Sequence, residues 1–419
     1  MTETRHVRSP EKGTARRSWP SWPEVAPNAA QYLMDALHSE RWAISSLYNG
    51  SVLYERRFAE QFARYLGARR CVPVDHCSSA LIIALEALGI EHGSEVIVPA
   101  LTWTATATAV FRAGLVPVLA DVDPATGCVT PQTVAAVMGP LTRAVIVVHW
   151  ACVMADVPAI RGMVEQRGIP VIEDAAQAHG AAWEGRRAGT LGDFGCFSMQ
   201  HAKVLTCGEG GALVTNRIEL AQRLEELRAD SRSYRADPQP GQLELAETTS
   251  VMGANFGMNE LSAALLCAQL EILPAQHARR NANYLLLESL LENIEGVTLL
   301  RRDPRQDELS LYEVPLVFHD STWSNSRIAD ELARELGLRV YTPREPLHRS
   351  PLLRPQSKPG LRPLAEHFNR RNAGRDFPGA SHVSSSAVVL HHSAFLGADD
   401  SMHALAAAVR MVATRAARP

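Results

Sequence analysis

The chain has 419 residues, of which 46% are hydrophobic, so it is long enough for two domains that share an interface and a sizeable core. A net charge of −3 excludes a general attraction to nucleic acid or acidic lipid, and we expect neither a nucleic-acid nor a membrane partner. Seven cysteines, an odd number with no C-x-x-C pair, argue against a disulfide scaffold and a structural zinc site and favour the reducing cytoplasm.

The N-terminal region predicts a tail followed by helices. Residues 1–25 are rich in arginine and proline and lack apolar periodicity, so we expect a flexible tail. Its two tryptophans, Trp19 and Trp22, either share that disorder or dock on the body of the protein. The spacing of apolar residues then predicts amphipathic helices over 28–37 and 55–66.

Strands and helices alternate from residue 71 onward, which is the pattern of a parallel sheet. After the first strand we expect a helix that begins at Ser78 or Ser79, where hydroxyls and free backbone amides can bind a phosphate. Asp121 and Asp123 follow a later strand. No third ligand with suitable spacing accompanies them, so we interpret them as turn residues rather than as a metal site.

The stretch from residue 171 to 216 contains the residues with the strongest chemical signal. An apolar run, V-I-E-D, predicts a buried strand that ends in Asp174 at the sheet edge where open α/β sheets bind ligands. Lys203 lies downstream with Ser198 five positions before it, among glycines that suit tight turns and close approach to a ligand. Pyridoxal phosphate chemistry needs this combination, because a lysine amine forms a Schiff base and a carboxylate pairs with the pyridinium nitrogen.

The remainder of the chain predicts a second, smaller unit. Residues 231–249 are polar and contain proline and glycine, which predicts a surface excursion. A long helix follows and continues through Tyr284, and strand-like runs then indicate a C-terminal domain. The proline-rich, basic segment over 341–354 predicts an irregular loop, of the kind that is functional or mobile. We expect a flexible tail over 1–25, a large domain over 26–288 and a small domain over 289–419.

One run of residues resembles a known family. The segment Phe197–Ala212, F-S-M-Q-H-A-K-V-L-T-C-G-E-G-G-A, is similar to a signature of the DegT/DnrJ/EryC1/StrS aminotransferases. It most resembles the branch that aminates keto-cyclitols such as scyllo-inosose with L-glutamine as donor. The resemblance implies an α/β fold of type I among pyridoxal-phosphate enzymes. Its large domain has a mostly parallel seven-stranded sheet flanked by helices, and its smaller C-terminal domain is α+β.

The same resemblance implies roles for the central residues. Lys203 and Asp174 are the catalytic pair, with Lys203 attached to the cofactor and Asp174 beside its ring nitrogen. Trp103 stacks on the pyridine ring, and Gln177 hydrogen-bonds the ring hydroxyl.

Phosphate binding is implied at Ser78, Ser79 and Ser198, although Cys77 stands where the family has glycine. Asn255 completes the phosphate site of the other subunit, which implies a homodimer with shared active sites. Asn255 also suits the N-cap of the long helix. Substrate contacts are expected from four residues, namely Tyr48, His149, Tyr341 and His391. We expect no metal.

Several functions are compatible with these residues. The first is an aminotransferase that uses L-glutamine or L-glutamate to aminate a keto-cyclitol in aminocyclitol antibiotic biosynthesis, and we favour it. The second acts on a nucleotide-linked keto-sugar, and the third is a dehydratase or an aromatising synthase on the same scaffold. Relatives that dehydrate replace the Schiff-base lysine by histidine, so the presence of Lys203 argues against that version. Intact Asp174, Gln177, Ser198 and Lys203 argue against a non-catalytic binding protein.

Overall fold

The structure is a computed structural model that describes residues 18–417. Its strands, numbered in chain order, are β1 Arg70–Val74, β2 Glu95–Pro99, β3 Val116–Ala120, β4 Thr142–Val148, β5 Val171–Asp174, β6 Ala182–Trp183, β7 Arg186–Arg187, β8 Phe194–Ser198, β9 Gly211–Thr215, β10 Arg232–Tyr234, β11 Leu245–Glu247, β12 Val297–Leu299, β13 Glu313–Phe318, β14 Val340–Tyr341 and β15 Ala387–His391.

The helices are α1 Ala29–His38, α2 Tyr54–Leu66, α3 Cys77–Ala87, α4 Thr104–Arg112, α5 Pro131–Ala135, α6 Val157–Glu165, α7 Ala221–Arg228, α8 Glu260–Leu291, α9 Asn325–Leu336, α10 Arg362–Asn372, α11 Pro378–Ser386 and α12 Asp399–Ala416. Four short 3-10 turns join them, at Ile218–Leu220, Pro355–Ser357, Pro359–Leu361 and His392–Leu396. No helix among residues 18–417 is long and apolar enough to cross a membrane.

Seven strands form the main sheet in the order β1-β9-β8-β5-β4-β2-β3. Strand β9 runs antiparallel to both of its neighbours, and the remaining pairs of adjacent strands are parallel. Strands β2, β3, β5 and β8 are buried along their whole length, as expected of strands covered by helices on both faces. The predicted mostly parallel, seven-stranded sheet is confirmed.

The direction of these strands brings the predicted chemistry to one edge of the sheet. Strand β5 ends at Asp174 and the parallel strand β8 ends at Ser198. Strand β1 points the same way, because β1 and β8 both pair antiparallel with β9, and it leads into α3 at Cys77. The loop that carries Lys203 joins β8 to β9 at this edge.

A four-stranded antiparallel sheet, β12-β13-β15-β14, lies in the C-terminal part of the chain. Helix α8 extends to Leu291, past the predicted domain boundary at residue 288, and that boundary stays a prediction. Helix α10 lies beyond the boundary but packs against β3 of the main sheet, where the side chain of Asn372 accepts a hydrogen bond from Leu119 N at 3.0 Å. Leu364 of α10 also packs with Val116 of β3 and Phe111 of α4, so the two predicted domains share polar and apolar contacts.

The segment over 231–249 is more ordered than the predicted surface excursion, because β10 and β11 form a hairpin there. Tyr234 of β10 donates its hydroxyl to Glu55 Oε2 at 2.5 Å, and Glu55 also pairs with the buried Arg228. Local composition gave no sign of this hairpin, since its anchor, Glu55, lies far away in the sequence.

Part of the predicted tail contacts the body of the protein. Residues 1–17 lie outside the described part of the chain. In the described remainder, Trp19 Nε1 donates to Leu336 O at 2.7 Å and Trp22 Nε1 donates to His201 O at 2.9 Å. Trp19 and Trp22 therefore dock on the body of the protein rather than sharing the disorder expected of the tail.

Candidate active site

Asp174 is a buried carboxylate with a fixed orientation. Its Oδ2 accepts a hydrogen bond from Thr106 Oγ1 of α4 at 2.8 Å, and its Oδ1 accepts one from Ala176 N at 3.2 Å. Burial raises the pKa of Asp174 above its ordinary value, while the Thr106 hydroxyl and the Lys203 ammonium favour the charged form. Asp174 is thereby held ready to pair with a cationic ring nitrogen.

Lys203 is buried in the loop between β8 and β9, and its backbone N donates to Gln200 O at 2.8 Å. Its Nζ lies 3.8 Å from the ring centroid of Tyr312. No carboxylate of residues 18–417 lies within 4.0 Å of Nζ. Burial lowers the pKa of Lys203, although the charges of Glu313 and Asp174 partly oppose this. An amine with a lowered pKa is a better nucleophile near neutral pH.

The turn before α3 forms a cradle that suits a phosphate. A Cβ at Gly211 would lie 2.4 Å from the backbone carbon of His76, so glycine allows β9 to lie against this turn. No side chain caps the N-terminus of α3, whose first residue is Cys77, one position before the expected start. Exposed Ser78 and buried Ser79 occupy the first turn, where free amides attract anions.

Cys77 links this cradle to Asp174 and Lys203, the predicted catalytic pair. The charges of Asp174 and Lys203 both act on the Cys77 thiol, whose pKa burial raises well above its ordinary value. Ser198, which is buried at the end of β8, belongs to the same sheet edge. One site therefore contains an anion cradle, the fixed carboxylate of Asp174 and the buried amine of Lys203. These groups fit pyridoxal phosphate.

Two further predicted cofactor contacts lie at the neighbouring strand ends. Gln177 Oε1 accepts a hydrogen bond from Ala151 N at 2.5 Å, which orients the side-chain amide. Trp103 precedes α4, and its side chain is 45% exposed. The guanidinium carbon of Arg344 lies 4.1 Å from the Trp103 ring centroid. The indole is therefore partly open to solvent and contacts Arg344 rather than lying in the core.

A polar group that sequence reasoning missed faces Lys203 from the four-stranded sheet. Half-buried Glu313 begins β13 and accepts a hydrogen bond from Tyr341 Oη at 2.8 Å. Burial raises the pKa of Glu313, while the Tyr341 hydroxyl and the charges of Lys203 and Arg344 oppose the rise. The sequence carried one signal for this residue, an acidic side chain directly before the apolar run V-P-L-V-F.

The four predicted substrate residues have different surroundings. Tyr341 contacts Glu313 as described, and Glu313 is the register partner of His391 across β13 and β15. His391 Nδ1 lies 2.9 Å from Ser393 Oγ, and burial lowers the pKa of His391 to about 4. Tyr48 is half-buried and lies with its ring centroid 5.6 Å from the Arg41 guanidinium carbon.

The contacts of His149 do not support its predicted substrate role. His149 is buried, and its Nδ1 accepts a hydrogen bond from Ala155 N at 3.2 Å. Its Nε2 must then carry the proton, which it donates to Glu173 Oε2 at 2.9 Å. Nε2 contacts Glu173 and Nδ1 contacts Ala155 in the loop after β4, so neither ring nitrogen is free for a ligand.

Asn255 is exposed, and Gly257 N donates to its Oδ1 at 3.4 Å. The predicted N-cap alternative for Asn255 is wrong, because α8 begins at Glu260 and Asn259 Oδ1 accepts from Ser262 N at 2.9 Å. Within residues 18–417, neither Tyr48 nor Asn255 makes a hydrogen bond or ring contact with another predicted site residue. Asn255 is exposed, and Tyr48 is half-buried.

The two candidate turn carboxylates have structural partners. Asp121 accepts hydrogen bonds from Gly379 N and Ala380 N at the start of α11, both at 2.9 Å. Asp123 accepts from Ala125 N at 2.9 Å, as a turn residue does. No group of three or more His, Cys, Asp or Glu side chains in the described ranges has metal-binding geometry.

Comparison with known proteins identifies the family that this chain matches. Residues 27–406 match the DegT/DnrJ/EryC1/StrS aminotransferase family. The chain is 41% identical over 401 residues to L-glutamine:2-deoxy-scyllo-inosose aminotransferase of Streptoalloteichus tenebrarius, with 94% of each chain covered. It is also 41% identical over 403 residues to L-glutamine:scyllo-inosose aminotransferase of Streptomyces griseus, with 95% of each covered.

A solved structure shows the same fold. The crystal structure of 3-amino-5-hydroxybenzoic acid synthase matches with a TM-score of 0.80 and 31% sequence identity, and the match covers 95% of this chain and 99% of that one. These findings confirm the family, the fold class and the kind of enzyme that the sequence predicted, a pyridoxal-phosphate-dependent transaminase.

The charge of Glu313 gives a testable pH dependence. Because this charge raises the pKa of Lys203, Glu313→Gln should lower that pKa further and shift the formation of the neutral amine to lower pH. We expect the rate of covalent pyridoxal phosphate attachment to the cofactor-free enzyme, followed by absorbance, to reach half-maximum at lower pH than in the unmodified chain. Tyr341→Phe is the matched control, since it removes a hydrogen bond to Glu313 and keeps the charge. An unchanged or higher midpoint in Glu313→Gln would contradict this assignment.

Proposed function

We propose that this chain, which belongs to the DegT/DnrJ/EryC1/StrS aminotransferase family, transfers the α-amino group of L-glutamine to the ketone of a cyclitol. The observation that carries the proposal is 41% identity, along 94–95% of the chain, to two enzymes named for L-glutamine and an inosose. The product of this reaction would be an aminocyclitol of the kind used in antibiotic biosynthesis.

The residues at the sheet edge would hold the cofactor. Ser78, Ser79 and Ser198 would bind its phosphate at the N-terminus of α3, and Trp103 would cover its ring. Asp174 would pair with the ring nitrogen and keep it protonated. Bound pyridoxal phosphate supplies an electron sink for the electron pair that remains when a proton leaves the carbon next to the amine.

Lys203 would perform two tasks with one atom. Its Nζ would attach the cofactor and, once the amino donor has displaced it, would take a proton from one carbon and return it to another. Both tasks need a neutral amine for part of the cycle, and burial of Lys203 favours that form. Gln177 would hold the ring hydroxyl of the cofactor, because Ala151 N orients the Gln177 side chain.

The side facing the four-stranded sheet suits a polar, hydroxylated substrate. Glu313 and Tyr341 present a carboxylate and a phenol near Lys203, and Arg344 adds a cation. A cyclitol ketone carries several hydroxyl groups that such side chains can bind. The carboxylate of the amino donor requires a cation, which Arg344 can provide.

The competing reactions have weaker support. The solved synthase that resembles this chain is 31% identical, against 41% for the glutamine-dependent aminotransferases. A nucleotide-linked sugar remains the second candidate, as its ketone would undergo the same chemistry at Lys203.

All seven cysteines are free, and we propose that the enzyme works in the reducing cytoplasm.

A direct assay separates these possibilities. The purified chain, loaded with pyridoxal phosphate, is given L-glutamine labelled with ¹⁵N at the α-amino group and either 2-deoxy-scyllo-inosose, scyllo-inosose or a nucleotide-linked 4-keto-sugar. We expect ¹⁵N in the aminocyclitol by mass spectrometry and a loss of about 100- to 10,000-fold or more in Lys203→Ala. Lys358→Ala, at an exposed lysine, should retain full activity. Transfer to the nucleotide sugar alone would overturn the cyclitol assignment, and full turnover by Lys203→Ala would overturn the site.

We further propose that the active unit is a two-fold homodimer. Several large apolar side chains between residues 34 and 52 and between residues 243 and 261 are exposed in the single chain, namely Met34, Leu37, Trp42, Leu47, Val52, Leu243, Met252 and Leu261. Leu47 and Leu243 form a backbone bridge, and Glu260 N donates to Trp42 O at 3.0 Å, so these segments form a continuous surface. An apolar surface of this kind beside exposed Asn255 suits burial against a second copy.

A mixed dimer tests the shared site. Asn255→Ala should weaken pyridoxal phosphate binding about 10- to 150-fold, the loss that corresponds to one charge-assisted hydrogen bond. In a heterodimer of one Lys203→Ala subunit and one Asn255→Ala subunit, donation across the interface leaves one site complete. We expect that site to bind cofactor as tightly as the unmodified enzyme. An affinity equal to that of the Asn255→Ala homodimer, or an active monomer in sedimentation, would contradict the shared site.

A further inference from the structure

Two backbone carbonyls directly before Lys203 accept hydrogen bonds from distant side chains. Trp22 Nε1 donates to His201 O at 2.9 Å, and His392 Nε2 lies 3.1 Å from Ala202 O. Trp22 belongs to the N-terminal segment, and His392 follows β15. The loop that carries the lysine is thus held from outside by an indole and an imidazole.

The tautomer of His392 follows from its second contact. Arg280 Nη2 lies 3.2 Å from His392 Nδ1, and a guanidinium can only donate, so Nδ1 accepts. The proton of the neutral ring is then on Nε2 and is donated to Ala202 O. Burial lowers the pKa of His392 well below its ordinary value, which keeps the ring in this neutral form.

Trp22 covers Arg280 and His392 as well as contacting the loop that carries Lys203. Its ring packs edge-on against His392 with a centroid distance of 4.4 Å, and the Arg280 guanidinium carbon lies 5.1 Å from the Trp22 ring. Arg280 is fully buried, and among residues 18–417 its Nε and Nη1 have no hydrogen-bond partner. The indole therefore contacts both Arg280 and His392 while it donates to the loop that carries Lys203.

The segment around Trp22 is itself anchored on α8. Gln276 Nε2 donates to Glu24 Oε2 at 3.0 Å, and Gln269 Nε2 donates to Glu24 O at 3.0 Å. Gln269 Oε1 accepts from Ala26 N at 2.8 Å. Trp22 is thereby fixed relative to α8, the same helix that carries Arg280.

We propose that Trp22 and His392 form a clamp of two positioning residues that sets the direction of the Lys203 amine. Trp22 holds the carbonyl two positions before Lys203, and His392 holds the carbonyl one position before it. A shift of either donor would rotate the backbone that directs Nζ. Small misplacements of a reacting group can cost large factors in rate. The inference rests on the proposed role of Lys203 in cofactor attachment.

Trp22→Phe tests the clamp, because it keeps an aromatic ring over Arg280 and removes the N–H donor. Trp19→Phe is the matched control, since it removes an indole donor that bonds Leu336 O, away from the lysine loop. Hydrogen exchange of the peptide over 199–208 in the cofactor-free enzyme should be faster in Trp22→Phe only. Covalent attachment of pyridoxal phosphate, followed by absorbance, should slow about 2- to 12-fold in Trp22→Phe only, as expected for one neutral hydrogen bond.

Variants at His392 provide a second test if Trp22→Phe fails to fold. Gln can accept from Arg280 and donate to Ala202 O, whereas Leu can do neither, so His392→Gln should attach the cofactor faster than His392→Leu. Equal exchange and attachment in Trp22→Phe and Trp19→Phe, or in the two His392 variants, would overturn the clamp. Absence of covalent attachment in the unmodified enzyme would instead overturn the role of Lys203, while the exchange data would still decide on the clamp.

Discussion

Burial of the Lys203 amine is the interaction on which the rest of the site depends. A charged ammonium is costly to remove from water, so burial favours the neutral amine unless carboxylates compensate. Here the compensation is partial, because Glu313 and Asp174 act on the charge of Lys203 without lying within 4.0 Å of Nζ. The ring of Tyr312 covers the amine instead. Burial therefore favours the neutral form of Lys203, which is the form that a nucleophile or proton acceptor needs.

The parallel sheet explains how residues from distant parts of the chain reach that amine. Strands β1, β5 and β8 point in one direction, so their carboxyl ends supply the phosphate cradle, Asp174 and Ser198 at one edge. The four-stranded sheet adds Glu313 from the opposite side. Most of the residues proposed to hold the cofactor thus lie at the edge of the main sheet, and Glu313, Tyr341 and Arg344, proposed to contact substrate, come from the C-terminal part of the chain.

The sequence predicted the features that local patterns encode. The apolar run that ends in Asp174 indicated a buried parallel strand, and a lysine among glycines indicated the loop predicted to hold the cofactor. The sequence did not reveal that Glu313 faces Lys203, that Trp22 contacts His201, or that residues 231–249 form a hairpin anchored on Glu55. Each of these depends on contacts between segments far apart in the chain. The contacts of His149 were not predictable for the same reason, since its partner Glu173 becomes a neighbour only when β4 pairs with β5.

The central claim is that Lys203 carries the cofactor, and the composition of the chain makes this easy to test. The sequence contains three lysines, Lys12, Lys203 and Lys358. The enzyme loaded with pyridoxal phosphate is reduced with borohydride, digested and examined by mass spectrometry for the added phosphopyridoxyl group. The account predicts one modified peptide, containing Lys203. Modification at Lys12 or Lys358, or no modification at all, would contradict it.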